Sequence, residues 1–235
     1  SMDRLMEIED SAKEETGEQI LLTAPAGIKI EHLTFGYPNS DKLIFNDFNY
    51  DFKPGTRTAI VGETGVGKST LTKLMLSLLK PMSGSIDIYS DGKRERASAL
   101  TRINLVYVPQ GNTLFSGSIR ENLLMGNPKA DDRQLWQALD VAVAGFVRDI
   151  PGGLDAEIGE IGAGLSEGQA QRIAIARGLL RPGSIMLLDE FSSSLDTETE
   201  HVLLGNLTSS NVDKTVIFIT HREAVLDYCD TILRL

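Results

Sequence analysis

Apolar positions along the chain change period at punctuated points, and the changes mark the elements. From Ile28 the pattern is strand-like: Ile28 and Ile30 alternate with polar neighbours, and Phe45, Phe48 and Phe52 sit among turn formers before Pro54-Gly55. This predicts a small antiparallel sheet. A short strand-forming run from Thr58 to Val61 breaks at Gly62, after which Leu71, Leu74, Met75 and Leu78 recur at helical spacing until Lys80-Pro81. The reading is strand, glycine loop, helix. Three further apolar runs, Val106 to Val108, Ile185 to Leu188 and Val216 to Ile219, lead into Gln110, Asp189 and Thr220-His221. Continuous runs of this length fit buried parallel strands, and in open α/β sheets ligands bind beyond the carboxyl ends of such strands. Four strand ends are expected to converge on one site. Between Gly111 and Arg181 helical spacing dominates, as in Leu135, Leu139 and Ala142 or Ile173, Ala176 and Leu180, with a Gly-rich interruption from Pro151 to Gly164. That stretch predicts a helical insertion. No internal repeat of solenoid length is present.

Composition narrows the classes. With 235 residues and 41% apolar side chains, the chain supports one substantial core. The 23 Lys and Arg against 33 Asp and Glu give −10, which lacks the basic footprint of a nucleic-acid binder. The single Cys229 excludes an internal disulfide or a cysteine-based zinc site. No run approaches the roughly 18 apolar residues of a membrane span, and no signal-peptide pattern opens the chain. The piece is expected to be soluble and cytosolic. Residues 1–19 carry seven acids against Arg4 and Lys13, half of the net charge, and Leu5, Ile8 and Ala12 recur at helical spacing. Thr16-Gly17 and Pro25-Ala26-Gly27 punctuate the segment, so residues 1–27 read as an acidic tether outside the core. Ser1-Met2 reads as an expression scar, and the apolar close Ile232-Leu233-Arg234-Leu235 as the end of a cut domain.

Three segments carry chemistry. Gly62-Glu63-Thr64-Gly65-Val66-Gly67-Lys68-Ser69-Thr70 fits the phosphate-loop pattern and lies between strand and helix as that pattern requires. Its small residues let backbone amides wrap phosphates, with Lys68 on the β- and γ-phosphates and the Ser69 hydroxyl on Mg²⁺. Asp189 closes an apolar run, where a strand would hand it to the metal. Glu190, the next residue, is placed to polarise water for in-line attack. An Asp-Glu pair alone reads equally as a solvated turn, and the phosphate loop tips the choice. In Leu165-Ser166-Glu167-Gly168-Gln169, Ser166 and Gln169 have the spacing of a capping box. Gly168 in that first turn weakens a helix by roughly 1 kcal/mol relative to alanine, so the backbone there is expected to meet something closely. A capped helix start with bare backbone reads as a second anion site, which implies a nucleotide held between two copies.

Taken in order, the phosphate loop, Gln110, the Leu165–Gln169 stretch, Asp189-Glu190, Ser194-Leu195-Asp196 and His221 resemble the nucleotide-binding domain of ATP-binding cassette proteins, over about residues 28–235. The resemblance implies an α/β fold: a P-loop NTPase core with a mostly parallel sheet and a small antiparallel β subdomain (28–110 and 182–235), plus an inserted α-helical signature subdomain (111–181). It implies ATP and Mg²⁺ as ligands, with Ser69, Gln110 and Asp189 on the metal. It places Tyr37, in Phe35-Gly36-Tyr37-Pro38, on adenine, and gives Gln110 the sensing of metal and water. His221 becomes the switch that contacts γ-phosphate and orients Glu190, and Asp196 a residue that communicates across a dimer. Each also has an ordinary reading: a packing tyrosine, a loop glutamine, a structural histidine, a helix cap. Glu167 departs from the family, which has Gly at that position, and puts a negative side chain near the γ-phosphate.

Two segments resemble exporters in particular. Residues 113–123 are similar to the stretch that faces the transmembrane partner, and Leu154 to Glu160 to the cross-linking loop, with Glu160 at its acidic position. The resemblance implies the motor domain of an ABC exporter at the cytoplasmic face of a membrane, joined to a transmembrane domain through residues 1–27. It closes with a second nucleotide-binding domain around ATP. A soluble cassette ATPase acting on DNA or ribosomes, a separate importer subunit and a nonhydrolytic cassette are the rival readings.

Overall fold

A computed structural model describes residues 14–38, 40, 42–159, 164–209 and 213–235. Two sheets organise the chain. The first is antiparallel, order β2-β1-β4-β5, from β1 (Gly27–Gly36), β2 (Leu43–Phe52), β4 (Ser83–Ser90) and β5 (Lys93–Arg96). The second is wholly parallel, order β11-β3-β10-β9-β6, from β3 (Arg57–Val61), β6 (Leu105–Val108), β9 (Ile185–Asp189), β10 (Thr215–Ile219) and β11 (Thr231–Arg234). A two-residue ribbon, β7 (Gly117–Ser118) with β8 (Glu157–Ile158), completes the strands. Helices α1 (Lys68–Met75), α2 (Ile119–Leu124), α3 (Asp132–Val141), α4 (Glu167–Leu179) and α5 (Thr197–Thr208) connect them.

The continuous apolar runs are explained by burial on both faces. Ile185 and Leu187 of β9, with Ile217 and Ile219 of β10, join a core made with α1 and the antiparallel sheet. Met186 and Leu188, with Val216 and Phe218, point the other way into a second core with the remaining helices. Side chains alternate at period two, so a strand covered on both faces has no polar position to spare. The stretch expected as a helical insertion holds α2, α3 and α4, and its side chains share that second core with the sheet.

Two expectations are corrected. Helix α1 stops before Leu78: Ser77 takes φ 54°, its amide donates to Leu74 O (3.0 Å), and the Leu78 amide reaches back to Lys73 O (2.8 Å). This is the left-handed helix stop usually given to glycine, so helical spacing ran three residues past the helix, from Met75 to Leu78. The segment before β1, read as a tether outside the core, is anchored to it at several described points. Leu22 and Ala26 are buried, and Glu14 pairs with Arg102 at 2.8 Å. Asn104, fully buried, accepts from the Leu22 amide (2.7 Å) and donates to Ile20 O (2.7 Å) and Thr101 O (2.8 Å). The expected helical spacing of Leu5, Ile8 and Ala12 lies outside the described residues. The apolar Ile232 and Leu233 form part of β11, paired with β3.

Replacing Asn104 by Ala takes the partner from the buried Leu22 amide and from the part-buried Ile20 carbonyl, a loss of about 1–3 kcal/mol for a fully buried group. The expected outcome is a loss of at least about 2 kcal/mol in denaturant unfolding, with faster hydrogen exchange at the Leu22 amide.

Candidate nucleotide site

Among the described residues, each α-helix start is capped by a side chain except one. Ser118, Asp131 and Ser166 close capping boxes on α2, α3 and α4, and Asp196 caps α5. Helix α1 begins at Gly67, which supplies no side-chain bond, and its first turn holds no acid. Its free amides therefore face whatever anion arrives from outside, with the helix dipole behind them. Gly67 is held at φ 122°, and a Cβ there would lie 2.6 Å from Ile44 Cγ2, so both conformation and crowding demand glycine. Lys68 Nζ donates across the loop to Gly62 O (2.7 Å) and Glu63 O (3.0 Å). An ammonium held by two main-chain carbonyls at the mouth of an amide-lined loop can exchange those partners for phosphate oxygens. Glu63, Thr64, Gly65 and Ser69 are exposed around it, Val66 is half-buried and Thr70 is buried. Tyr37, 38% exposed, donates to or accepts from Thr70 Oγ1 at 3.2 Å and meets Phe35 edge-on.

Acidic chemistry collects at the ends of β9 and β10, beside β3. Asp189 is the last residue of β9, paired with Ile219. Burial raises the Asp189 carboxyl above its ordinary range and the Glu190 charge adds to that, against the phenol bond from Tyr107 and the Lys68 charge, which lower it. Tyr107 donates its phenol proton to Asp189 Oδ2 at 3.0 Å. Glu190 then turns into the left-handed region at φ 46°, pinned by its amide to Ile219 O at 2.9 Å. Strain of this kind in a non-glycine residue accompanies functional sites. His221, just beyond β10, brings Nδ1 to 3.0 Å from Glu190 Oε1 and 2.9 Å from Oε2. Its neighbour Arg222 pairs with Glu200, a buried carboxylate of α5, at 2.7 Å. The element carrying His221 is thereby fastened to the helix that Asp196 caps through the Thr199 amide (2.9 Å) and hydroxyl (2.8 Å).

The structure brings Lys68, Asp189, Glu190 and His221 to one end of the parallel sheet. Gln110 stands exposed beyond the adjacent β6 and makes no hydrogen bond to them among the described residues. The peptide before it is held by the buried Gln171 of α4, which donates to Pro109 O at 3.2 Å. Ser166, Gly168 and Gln169 stand apart from the phosphate loop. Ser166 Oγ accepts from the Gln169 amide (3.2 Å), and the Ser166 amide donates to Gln169 Oε1 (2.9 Å). Packing accounts for the glycine at 168, since a Cβ there would lie 2.8 Å from Ser194 O of the same chain. Glycine at that position is explained within the chain. Glu160 lies outside the described residues. Tyr107, Gln171, Glu200 and Arg222 were not singled out by the sequence, because pairings across strands and helices leave no local spacing signal.

Comparison with known proteins decides the family, since the family model described as ABC transporter matches residues 45–193. This chain belongs to the ABC transporter family. It is 37% identical, over 98% of its length, to an ABC multidrug transporter of Aspergillus fumigatus, covering 30% of that protein. It is 36% identical over 90% of its length to a probable multidrug resistance ABC transporter ATP-binding/permease protein of Bacillus subtilis, covering 36% of it. A solved structure of a bacterial Atm1-family ABC exporter with ATP bound superposes with a TM-score of 0.86 at 32% identity, covering all of this chain and 42% of that one. The chain thus spans about a third of the curated relatives it matches. As an ABC-type domain it has the fold expected from its sequence, α/β with one parallel and one antiparallel sheet.

The raised Asp189 carboxyl has a sign that can be measured. The native state holds that proton more tightly than the unfolded chain does, so ionisation subtracts stability as pH rises above about 4. In thermal unfolding of the nucleotide-free protein, Asp189→Asn is expected to melt above wild type at pH 7, with the gap closing in acid. A variant that melts below wild type at neutral pH contradicts this balance.

Proposed function

We propose that this chain is the ATP-binding and ATP-hydrolysing motor domain of an ABC exporter, working at the cytoplasmic face of a membrane and closing with a second nucleotide-binding domain. The observation that carries the reading is the pairing of His221 with Glu190 at the strand ends that face the one described α-helix start without a side-chain cap. The exporter names of the relatives, and their joined ATP-binding and permease parts, support the direction of transport and a transmembrane partner in the same full-length protein.

Tyr37 offers its exposed ring to adenine. The phosphate loop, from Gly62 to Thr70, wraps the triphosphate, and Lys68 gives up its carbonyl partners for the β- and γ-phosphate oxygens. The donors fit Mg²⁺: the Asp189 carboxylate, Ser69 hydroxyl and Gln110 amide oxygen are hard oxygen ligands. No group of three or more His, Cys, Asp or Glu able to hold a metal by itself exists among the described residues. Mg²⁺ is typically bound through one or two carboxylates completed by substrate phosphates, not in an all-protein cage. Held there by Asp189, Ser69 and Gln110, the cation would supply charge neutralisation for the triphosphate. Glu190 accepts the proton of the attacking water, and His221 holds the Glu190 carboxylate in place while its other ring nitrogen remains for γ-phosphate. Ser166, Gly168 and Gln169 contact the triphosphate of the partner copy. Ser166 Oγ accepts within the capping box, so its proton is free to donate outward. Glu167 beside it opposes phosphate, which tunes the closed state. Closure follows ATP because both halves gain contacts only there.

Glu190→Gln keeps shape but cannot take a proton. It is expected to bind ATP as wild type does, to lose roughly 10²–10⁴-fold in phosphate release, and to accumulate as a dimer with Mg·ATP in light scattering. Brisk hydrolysis by this variant rejects the base assignment. Lys68→Ala removes charge-assisted bonds worth about 1.5–3 kcal/mol, so nucleotide affinity is expected to fall roughly 10- to 100-fold in a fluorescent-nucleotide titration. Unchanged affinity contradicts the loop assignment.

A further inference from the structure

Tyr107 is a partly buried phenol that none of the steps above uses. It lies on β6, paired in register with Leu187 of the neighbouring β9, two residues before Asp189. Side chains two apart on a strand share a face, so Tyr107, Leu187 and Asp189 line the same side of the sheet. A two-residue advance along a strand is about 6.6 Å, and the long phenol side chain is the right length to cover it from the next strand. The hydroxyl arrives 3.0 Å from Asp189 Oδ2. That bond occupies one carboxylate oxygen and fixes the rotation of the group. Oδ1 has no hydrogen-bond partner among the described residues.

We propose that Tyr107 is a positioning residue for the divalent cation, turning Asp189 so that one oxygen faces the phosphate loop, and that it thereby sets cation affinity. The inference rests on the functional reading given above. The same strand leads through Pro109 into Gln110, so one element orients the acidic ligand and carries the amide ligand. Outer partners that orient a metal-binding side chain are typically worth 10- to 100-fold in metal affinity. A tyrosine that only fills space would be replaced by phenylalanine without any change in cation dependence.

The test is Tyr107→Phe, which keeps the ring and removes one oxygen. Binding of a fluorescent ATP analogue is titrated in EDTA and at graded Mg²⁺, and nucleotide-free melting is followed alongside. The expected result is unchanged affinity in EDTA and a half-saturating Mg²⁺ concentration raised roughly 10- to 100-fold. Mg²⁺ dependence equal to wild type overturns the proposal. If the variant melts too low to titrate, Tyr107→Phe is made in Asp189→Asn and compared with Asp189→Asn alone by the same titration. There it is expected to cause no further change in Mg²⁺ dependence, and an additional loss overturns the proposal. Wild-type protein whose nucleotide binding ignores Mg²⁺ would instead contradict the functional reading itself, which separates the two failures.

Discussion

The uncapped start of α1 is the constraint around which the rest is arranged. A helix that ends its amides in a glycine loop holds several donors without a protein side-chain partner and a positive dipole end, which favours an anion from outside. Every other described α-helix meets that need internally, through Ser118, Asp131, Ser166 or Asp196. Lys68 meanwhile rests on the loop's own carbonyls, a bond pair that a triphosphate can replace without leaving the ammonium stranded.

Facing that positive pole, the strand ends supply two carboxylates with different surroundings. Asp189 is desolvated and tied to Tyr107, which suits a group that meets a cation. Glu190 is tied to His221 and held in a left-handed turn, which suits a group that meets water. In the proposed reading, environment and not residue type gives these neighbouring acids separate tasks. The Arg222–Glu200 pair then links this end of the sheet to α5, whose cap is Asp196. Breaking one partner of such a buried pair leaves an uncompensated charge, so the two elements are held together strongly.

The central strands were legible because burial on both faces removes every polar position, leaving runs such as Ile185 to Leu188 that nothing else explains. The phosphate loop was legible because glycine spacing answers to backbone geometry at Gly67. Strands β4 and β5 were harder to see, since short alternating stretches rich in Ser and charge carry little periodic signal. The stop of α1 at Ser77 was missed because serine in a left-handed turn replaces the glycine that punctuation rules look for. Residues 20–26 were taken for tether from the flanking Thr16-Gly17 and Pro25-Ala26-Gly27, whereas their docking depends on Asn104, far along the chain. At Gly168 the lack of a side chain already follows from Ser194 packing, so the glycine by itself does not signal a ligand. Tyr107 stayed silent for the same reason as Arg222, because its partner is adjacent only once the sheet is built.

The account's central claim is that each complete site draws its loop from one copy and its Ser166 end from another. The most direct measurement mixes two inactive proteins, Lys68→Ala and Ser166→Arg, and follows phosphate release. Random pairing leaves one composite site whole in each mixed dimer and the other doubly broken, so the mixture should recover about a quarter of the wild-type rate. A mixture no more active than its separate components would contradict the claim.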